Sequence, residues 1–170
     1  MTAVLLFTLP CTQVKAQDSK KVQAIVAKEV KAYRQILAKD ENFDSLMIAF
    51  SIDTFRVEHT YAATIVDMVN APDMLDAAAK ATAEYDKLLN KYYGKLMAKL
   101  TTDDKKELVK TQKAWLAFRD AEQNLIAIMS AEQYSGGGSI QKDVNEESYQ
   151  ELVKSRLVHI FKHLNRITNQ

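Results

Sequence analysis

The 170-residue chain contains one cysteine, two prolines, four glycines and one tryptophan. A single thiol forms no intramolecular disulfide, so helix or sheet packing has to hold the fold without cross-links. No stretch reaches the roughly 18 consecutive apolar residues of a membrane-spanning helix. Lys and Arg number 23 against 22 Asp and Glu, which leaves no cationic excess for neutralising phosphates and argues against nucleic-acid binding. There is no Gly-x-Ser-x-Gly elbow, so covalent catalysis has no obvious agent. What remains is 47% apolar and 26% charged, an ordinary globular composition for one domain. A chain of this length buries about 68–70% of its unfolded surface, enough for a real core.

Residues 1–17 read MTAVLLFTLPCTQVKAQ. An apolar run from Ala3 to Leu9 precedes Val14-Lys15-Ala16, whose small side chains suit a signal peptidase, so residues 1–16 read as a signal peptide cleaved after Ala16. A rival reading makes Cys11 a lipid-anchored cysteine, although Pro10 occupies the site where lipoprotein processing wants a small flexible residue. A third reading is an ordinary apolar tail. The first reading gives an exported protein, periplasmic or secreted. Removing residues 1–16 takes away Lys15 and Cys11 and leaves basic and acidic side chains in equal number.

Scarcity of helix breakers, with abundant Ala, Lys, Leu and Glu, predicts long helices. Val22, Ile25, Val26, Val30, Tyr33, Ile36 and Leu37 follow helical 3-4 spacing, as do Phe43, Met47, Phe50, Thr54, Phe55, Tyr61, Ile65 and Val69. Asn70 reads as an N-cap with Pro72 in the first turn of the next helix. Thr101-Thr102-Asp103-Asp104 offers a hydroxyl cap and acids at a positive helix end. Tyr134-Ser135-Gly136-Gly137-Gly138-Ser139 reads as a loop, because three glycines forfeit too much backbone entropy to remain helical. Helices are expected over about residues 20–39, 44–69, 73–100, 103–132 and 146–166. The fold class is all-α: an antiparallel bundle of about five long helices with no sheet.

Polar residues interrupt three of the apolar stripes. Asp86, Leu89, Asn90, Tyr93, Leu96 and Met97 share one face. Leu108, Gln112, Trp115, Arg119, Glu122, Ile126 and Met129 form a second, and Arg156 sits amid Tyr149, Leu152, Val153, Ile160 and Leu164. Burying lone charges is costly, so Arg119 and Arg156 are expected to meet Asp86 and Glu122, with Asn90, Gln112 and Tyr93 taking the remaining bonds. One reading is a structural polar network that fixes helix register, in which Arg119→Ala costs about 3–5 kcal/mol. The other is a catalytic or ligand cleft of carboxylates with an arginine clamp. His159 and His163 are spaced i,i+4, but no third ligand accompanies them, and they read as partly exposed structural histidines with no metal. Lys20, Lys21, Lys28, Lys31 and Arg34 read as a solvated helix face with interspersed acids. No cofactor motif is present.

The order Asp86-x-x-Leu89-Asn90-x-x-Tyr93-x-x-Leu96-Met97, then Gln112-x-x-Trp115-x-x-Phe118-Arg119-Asp120-x-Glu122, then the glycine-rich loop and Arg156, resembles the lysozyme inhibitor LprI-like N-terminal domain family. These are small exported bacterial helical proteins, first catalogued as a domain of unknown function. The resemblance covers about residues 74–164. Members commonly carry cysteines near the positions held here by Ala77, Gln123 and Ser148, so the chain resembles a cysteine-free branch. The expected organisation is a signal peptide (1–16), a helical extension (17–72) and an LprI-like domain (73–170) packed with it as one unit.

The resemblance implies export and inhibition of a lysozyme, while fold alone does not fix function. The leading expectation is a non-catalytic envelope protein that binds an unidentified protein or glycan partner. Its alternative is a proteinaceous inhibitor of lysozyme, and a second alternative is a hydrolase acting through the carboxylate and arginine cleft. An exposed apolar or acidic patch near the glycine loop favours inhibition; a pocket of convergent carboxylates favours an enzyme. The expected partner surface is Tyr134, Ser135, Gly136, Gly137, Gly138 and Ser139, since loops on rigid scaffolds concentrate recognition residues and Tyr134 is an amphipathic anchor.

Overall fold

Runs of good helix formers propagate helix until a breaker or a cap intervenes. In this computed structural model, which describes residues 11–66, 71–138 and 140–169, they form six helices and, among the described residues, no strand. The helices are α1 (Cys11–Leu37), α2 (Ser45–Ile65), α3 (Ala71–Lys99), α4 (Thr102–Met129), the single turn α5 (Glu132–Ser135) and α6 (Ile140–Thr168). The all-α fold expected from composition is therefore present, with five long helices and one short one among the described residues.

Local chemistry explains the ends. Asp44 caps α2 by accepting from the Met47 N–H at 2.7 Å, and Thr101 caps α4 by accepting from the Asp104 N–H at 3.3 Å, with Asp103 and Asp104 in the first turn. Pro72 lies in the first turn of α3, where its missing N–H costs no hydrogen bond; Asn70, expected to cap that helix, lies outside the described residues. Two starts depart from expectation. α6 begins at Ile140, six residues before the expected position, because nothing after Gly138 breaks helix. α1 is helical from Cys11, the first described residue, so residues 11–16 of the expected signal peptide belong to it, while residues 1–10 and the side chains of residues 11–18 lie outside what is described.

Successive long helices alternate in direction. The most extensive packing nevertheless joins α3 and α6, which run parallel: Thr82 donates to Glu146 at 2.6 Å near their starts, and Tyr92 meets Phe161 edge-on at 5.7 Å further along. Leu89, Tyr92, Val153, Leu157 and Ile160 are sealed between them. α2 lies antiparallel across this pair. Phe50 stacks on Phe161 at 3.8 Å and meets Tyr92 edge-on at 5.1 Å.

Two buried tyrosines tie α3 to α2 through carboxylates: Tyr85 donates to Glu58 and Tyr92 to Asp53, each at 2.8 Å. Burial, then the facing carboxylate, pushes both phenols above their ordinary range, so they remain donors. α2 is apolar on two sides. Val57, Phe50 and Tyr61 face the main core, and Ile52 and Phe55 face α1, where they pack with Val26, Val30, Leu37 and Tyr33. α1 has α2 as its one extensive neighbour, so the expected seven-residue stripe narrows and Ile25 and Ile36 are exposed. The basic residues Lys20, Lys21, Lys28, Lys31 and Arg34 are all exposed, as the solvated-face reading expects.

Leu89 is almost fully buried in the α3–α6 seam. Leu89→Ala should cost about 2–5 kcal/mol in urea unfolding, and Leu125→Ala, on an exposed face, under about 0.5 kcal/mol; equal costs would mean that the seam is not the core. The acid limb follows from two carboxylates. The Met47 N–H, then the Asn169 amide, hold Asp44 below its usual 3.8. Burial pushes Glu58 up, but donors Tyr85 and Lys154 outweigh it and leave the group below its usual 4.5. Both are depressed in the folded state, so their stabilisation is present above about pH 4.5 and is lost as pH falls through the folded values. Asp44→Asn combined with Glu58→Gln should therefore flatten the acid limb of a stability profile below that pH.

Candidate functional site

α3 and α4 both pack on α6 yet scarcely touch each other, so a groove runs between them with α6 as its floor. Helical phase puts Asp86, Asn90, Tyr93 and Met97 on its α3 wall, one residue round from the buried line of Tyr85, Leu89, Tyr92 and Leu96. Asn90 is accordingly exposed, with its amide donating to the Asp86 carboxylate at 3.2 Å and to the Asp86 carbonyl at 2.9 Å, while Asp86 and Tyr93 are half-buried. The α4 wall carries Gln112, Trp115, Arg119 and Glu122, all half-buried.

Arg156 rises from the floor and is 9% exposed. Its Nε donates to Gln112 Oε1 at 2.9 Å, and its guanidinium lies 5.9 Å from the Trp115 ring centre. Arg119 approaches the same ring at 5.5 Å, so one indole carries two cations. Burial pushes the Arg156 guanidinium below its ordinary range, and Tyr93 partly opposes that. Burial acts the same way on Arg119, but Asp120, with Tyr149 and Asp86 nearby, raises it overall.

The structure therefore brings Gln112, Trp115, Arg119 and Arg156 together and sets Asp86 and Tyr93 within electrostatic reach. The carboxylate partners differ from those expected. Arg119 donates through Nε and Nη2 to Asp120, at 2.9 and 2.6 Å, and among the described residues neither arginine is hydrogen-bonded to Asp86 or Glu122. For Asp86 the physical reason is distance across an open groove, since Asp120 adjoins Arg119 on α4 whereas Asp86 stands on the facing wall; Glu122 shares α4 with Arg119, and nothing in the structure explains why it is passed over. This changes the expected cost of losing Arg119. Its side chain is 20% exposed and that of Asp120 is 60% exposed, so removing it strands no buried carboxylate. Arg119→Ala should cost about 1 kcal/mol in thermal unfolding, from the lost ring contact and a solvent-screened pair, in place of the 3–5 kcal/mol expected for a buried pair.

Further along, α4 turns an uncharged face to solvent. Ala114, Phe118, Ala121, Leu125 and Ile128 fall within about 80° of arc, and Phe118 is 53% and Ile128 57% exposed. Met129, at its edge, is also exposed. The face ends at the bend, where Tyr134 is 58% exposed. Helical spacing places this face beside the Trp115 stripe; that it stays uncovered follows from α4 having α6 as its one extensive neighbour.

At the bend, Tyr134 and Ser135 belong to α5 where a loop was expected, because Ser135 Oγ donates to the Ser130 and Ala131 carbonyls and closes a turn. Gly136, Gly137 and Gly138 follow with φ of 77°, 75° and 95°. Gly136 caps α5 through its N–H to the Glu132 carbonyl at 2.9 Å. Three consecutive left-handed residues require glycine here; Ser139 lies outside the described residues.

His159 and His163 are both exposed, and among the described residues no group of three or more His, Cys, Asp or Glu could hold a metal ion. Among those residues, too, no helix is long and apolar enough to cross a membrane.

These features define the class of protein: an all-helical protein with a polar groove seated on α6 and an uncharged α4 face beside it. Residues 66–159, more than half of the chain, match the lysozyme inhibitor LprI family, and the chain belongs to that family. The matched stretch includes both groove walls, the exposed α4 face, the glycine bend and Arg156, and leaves out α1 and α2. No curated protein and no solved structure matches the chain.

Proposed function

We propose that this protein is an exported, non-catalytic inhibitor of lysozyme that docks through the outer face of α4 and the adjoining bend. The observation that carries the reading is the uncharged, solvent-facing surface of Phe118, Leu125 and Ile128, with Tyr134 exposed on the turn that follows. Contiguous apolar surface of this kind marks protein-protein contact sites, and aromatic anchors on it supply most of the binding energy. Membership of the lysozyme inhibitor family points to the partner. It favours inhibition over the broader expectation of an unidentified protein or glycan partner, and over a hydrolase. The groove adds no support for hydrolysis, since Asp86 and Glu122 stand on opposite walls with neither arginine bonded to them.

The near balance of charge shapes how such docking works. A strongly acidic inhibitor would be steered to a basic lysozyme by long-range attraction, whereas a neutral one relies on apolar burial. Export as a periplasmic or secreted protein places it where lysozyme acts. In this reading α2 braces the α3–α6 pair and α1 packs on α2, both outside the family match.

A muramidase assay with the purified protein tests this directly. Phe118→Asp with Leu125→Asp should weaken inhibition by about thirtyfold or more, the loss of a hot spot, and leave the melting temperature nearly unchanged because both side chains are exposed. Tyr134→Ala should weaken it further. Inhibition should change less than about twofold as ionic strength rises from about 0.01 to 0.15 M, over which the Debye length falls from roughly 30 to 8 Å. Absence of inhibition by the unaltered protein would sink the reading, and inhibition untouched by all three substitutions would move the docking face.

A further inference from the structure

Below the Trp115 level, the groove between α3 and α4 deepens into an open cleft of about 280 Å³. Its floor is apolar, formed by Leu96, Leu100, Leu108, Ile160 and Ile167. Arg156 lines it. Arg156 is nine-tenths buried; among the described residues its one hydrogen bond goes to the neutral Gln112, and Nη2 is sealed from solvent with no acceptor. A buried cation without a carboxylate is a costly arrangement, and it lines a cleft whose surface is mostly hydrocarbon.

We propose that this cleft binds a small monocarboxylate with an apolar body, the carboxylate pairing with the Arg156 guanidinium and the body lying on the Leu96, Leu108 and Ile160 floor. A planar guanidinium donates two parallel bonds to a carboxylate; Nη2 is sealed from solvent in the unliganded protein, so binding requires the end of Arg156 to turn toward the cleft that the residue lines. The rim sets the charge of the ligand. Asp104 and Glu107 of α4 border the same cleft, opposite His163 and Arg166 of α6, so a second negative charge meets acids as well as bases. The volume falls just below the roughly 300–1,000 Å³ of small-molecule sites, which suits a body of octanoate size. This site is separate from the proposed lysozyme face and does not depend on it.

Octanoate is the probe, titrated into the full chain and followed by backbone amide shifts. Saturable shifts confined to residues near 96–111 and 156–167 are expected. Octanol, with the same body and no carboxylate, should bind about ten- to a hundredfold more weakly, the worth of a charge-assisted hydrogen bond. Arg156→Gln should bring octanoate down to the octanol level, and inorganic phosphate should not compete. Thr111→Trp, which fills the rim without altering Arg156, should abolish binding and serves as the test if Arg156→Gln does not fold. No saturation by about 10 mM octanoate, beyond the millimolar range of weak binding, would overturn the proposal. So would equal binding of octanol, or shifts that persist in Thr111→Trp.

Discussion

The structure depends on one pairing, the parallel packing of α3 on α6. Leu89 and Tyr92 from one helix and Val153, Leu157 and Ile160 from the other exclude water along the seam, and Phe161 carries it onto α2 through its stack with Phe50. Parallel neighbours cannot be joined by a short turn. The chain has to travel back along the whole length of the pair before α6 begins, and α4 is that return path. A helix used as a return needs only one supporting surface. α4 finds it on α6, at Leu108 and Gln112, and the rest of its circumference stays open. The groove on one side and the uncharged face beside it are both consequences of that topology.

The same constraint explains why the polar residues behave as they do. In a closely packed bundle, Asp86 and Glu122 would be driven onto the two arginines, because each uncompensated charge would be expensive. Here the walls stand apart, water reaches the carboxylates, and each charge settles locally: Asp86 with Asn90, Arg119 with Asp120. Arg156 alone is deep enough to be dry, and Gln112 and the Trp115 ring are what it has. Trp115 thus links the floor of the groove to its outer wall, in contact with a cation from each.

Much of the helical layout was legible in the residues. Thr101 marks a helix start by side-chain chemistry that acts within three residues, and Gly136, Gly137 and Gly138 mark a backbone that no other residue tolerates, whereas the Asp44 cap emerged only from the structure. Such signals are local, and local physics is what a sequence states directly. The stripes were legible only to within one position. Helical spacing locates an apolar face to within tens of degrees, and on α3 that uncertainty separates Tyr92, fully buried against α6, from Tyr93 on the groove wall. The early starts of α1 and α6 were missed because an absence of breakers allows a helix to extend without requiring it.

By itself, the sequence determined an all-helical chain with no disulfide to hold it, balanced in charge, bent at three glycines, and carrying the ordered motifs of its family. Those follow from composition and short-range spacing. Only the tertiary structure decided that α3 and α6 lie side by side, that Arg119 turns to Asp120, that Arg156 is buried without a carboxylate, and that Phe118, Leu125 and Ile128 face water. A periodic pattern says which side of a helix seeks a neighbour, but the identity of that neighbour is settled by how all the helices compete for one core.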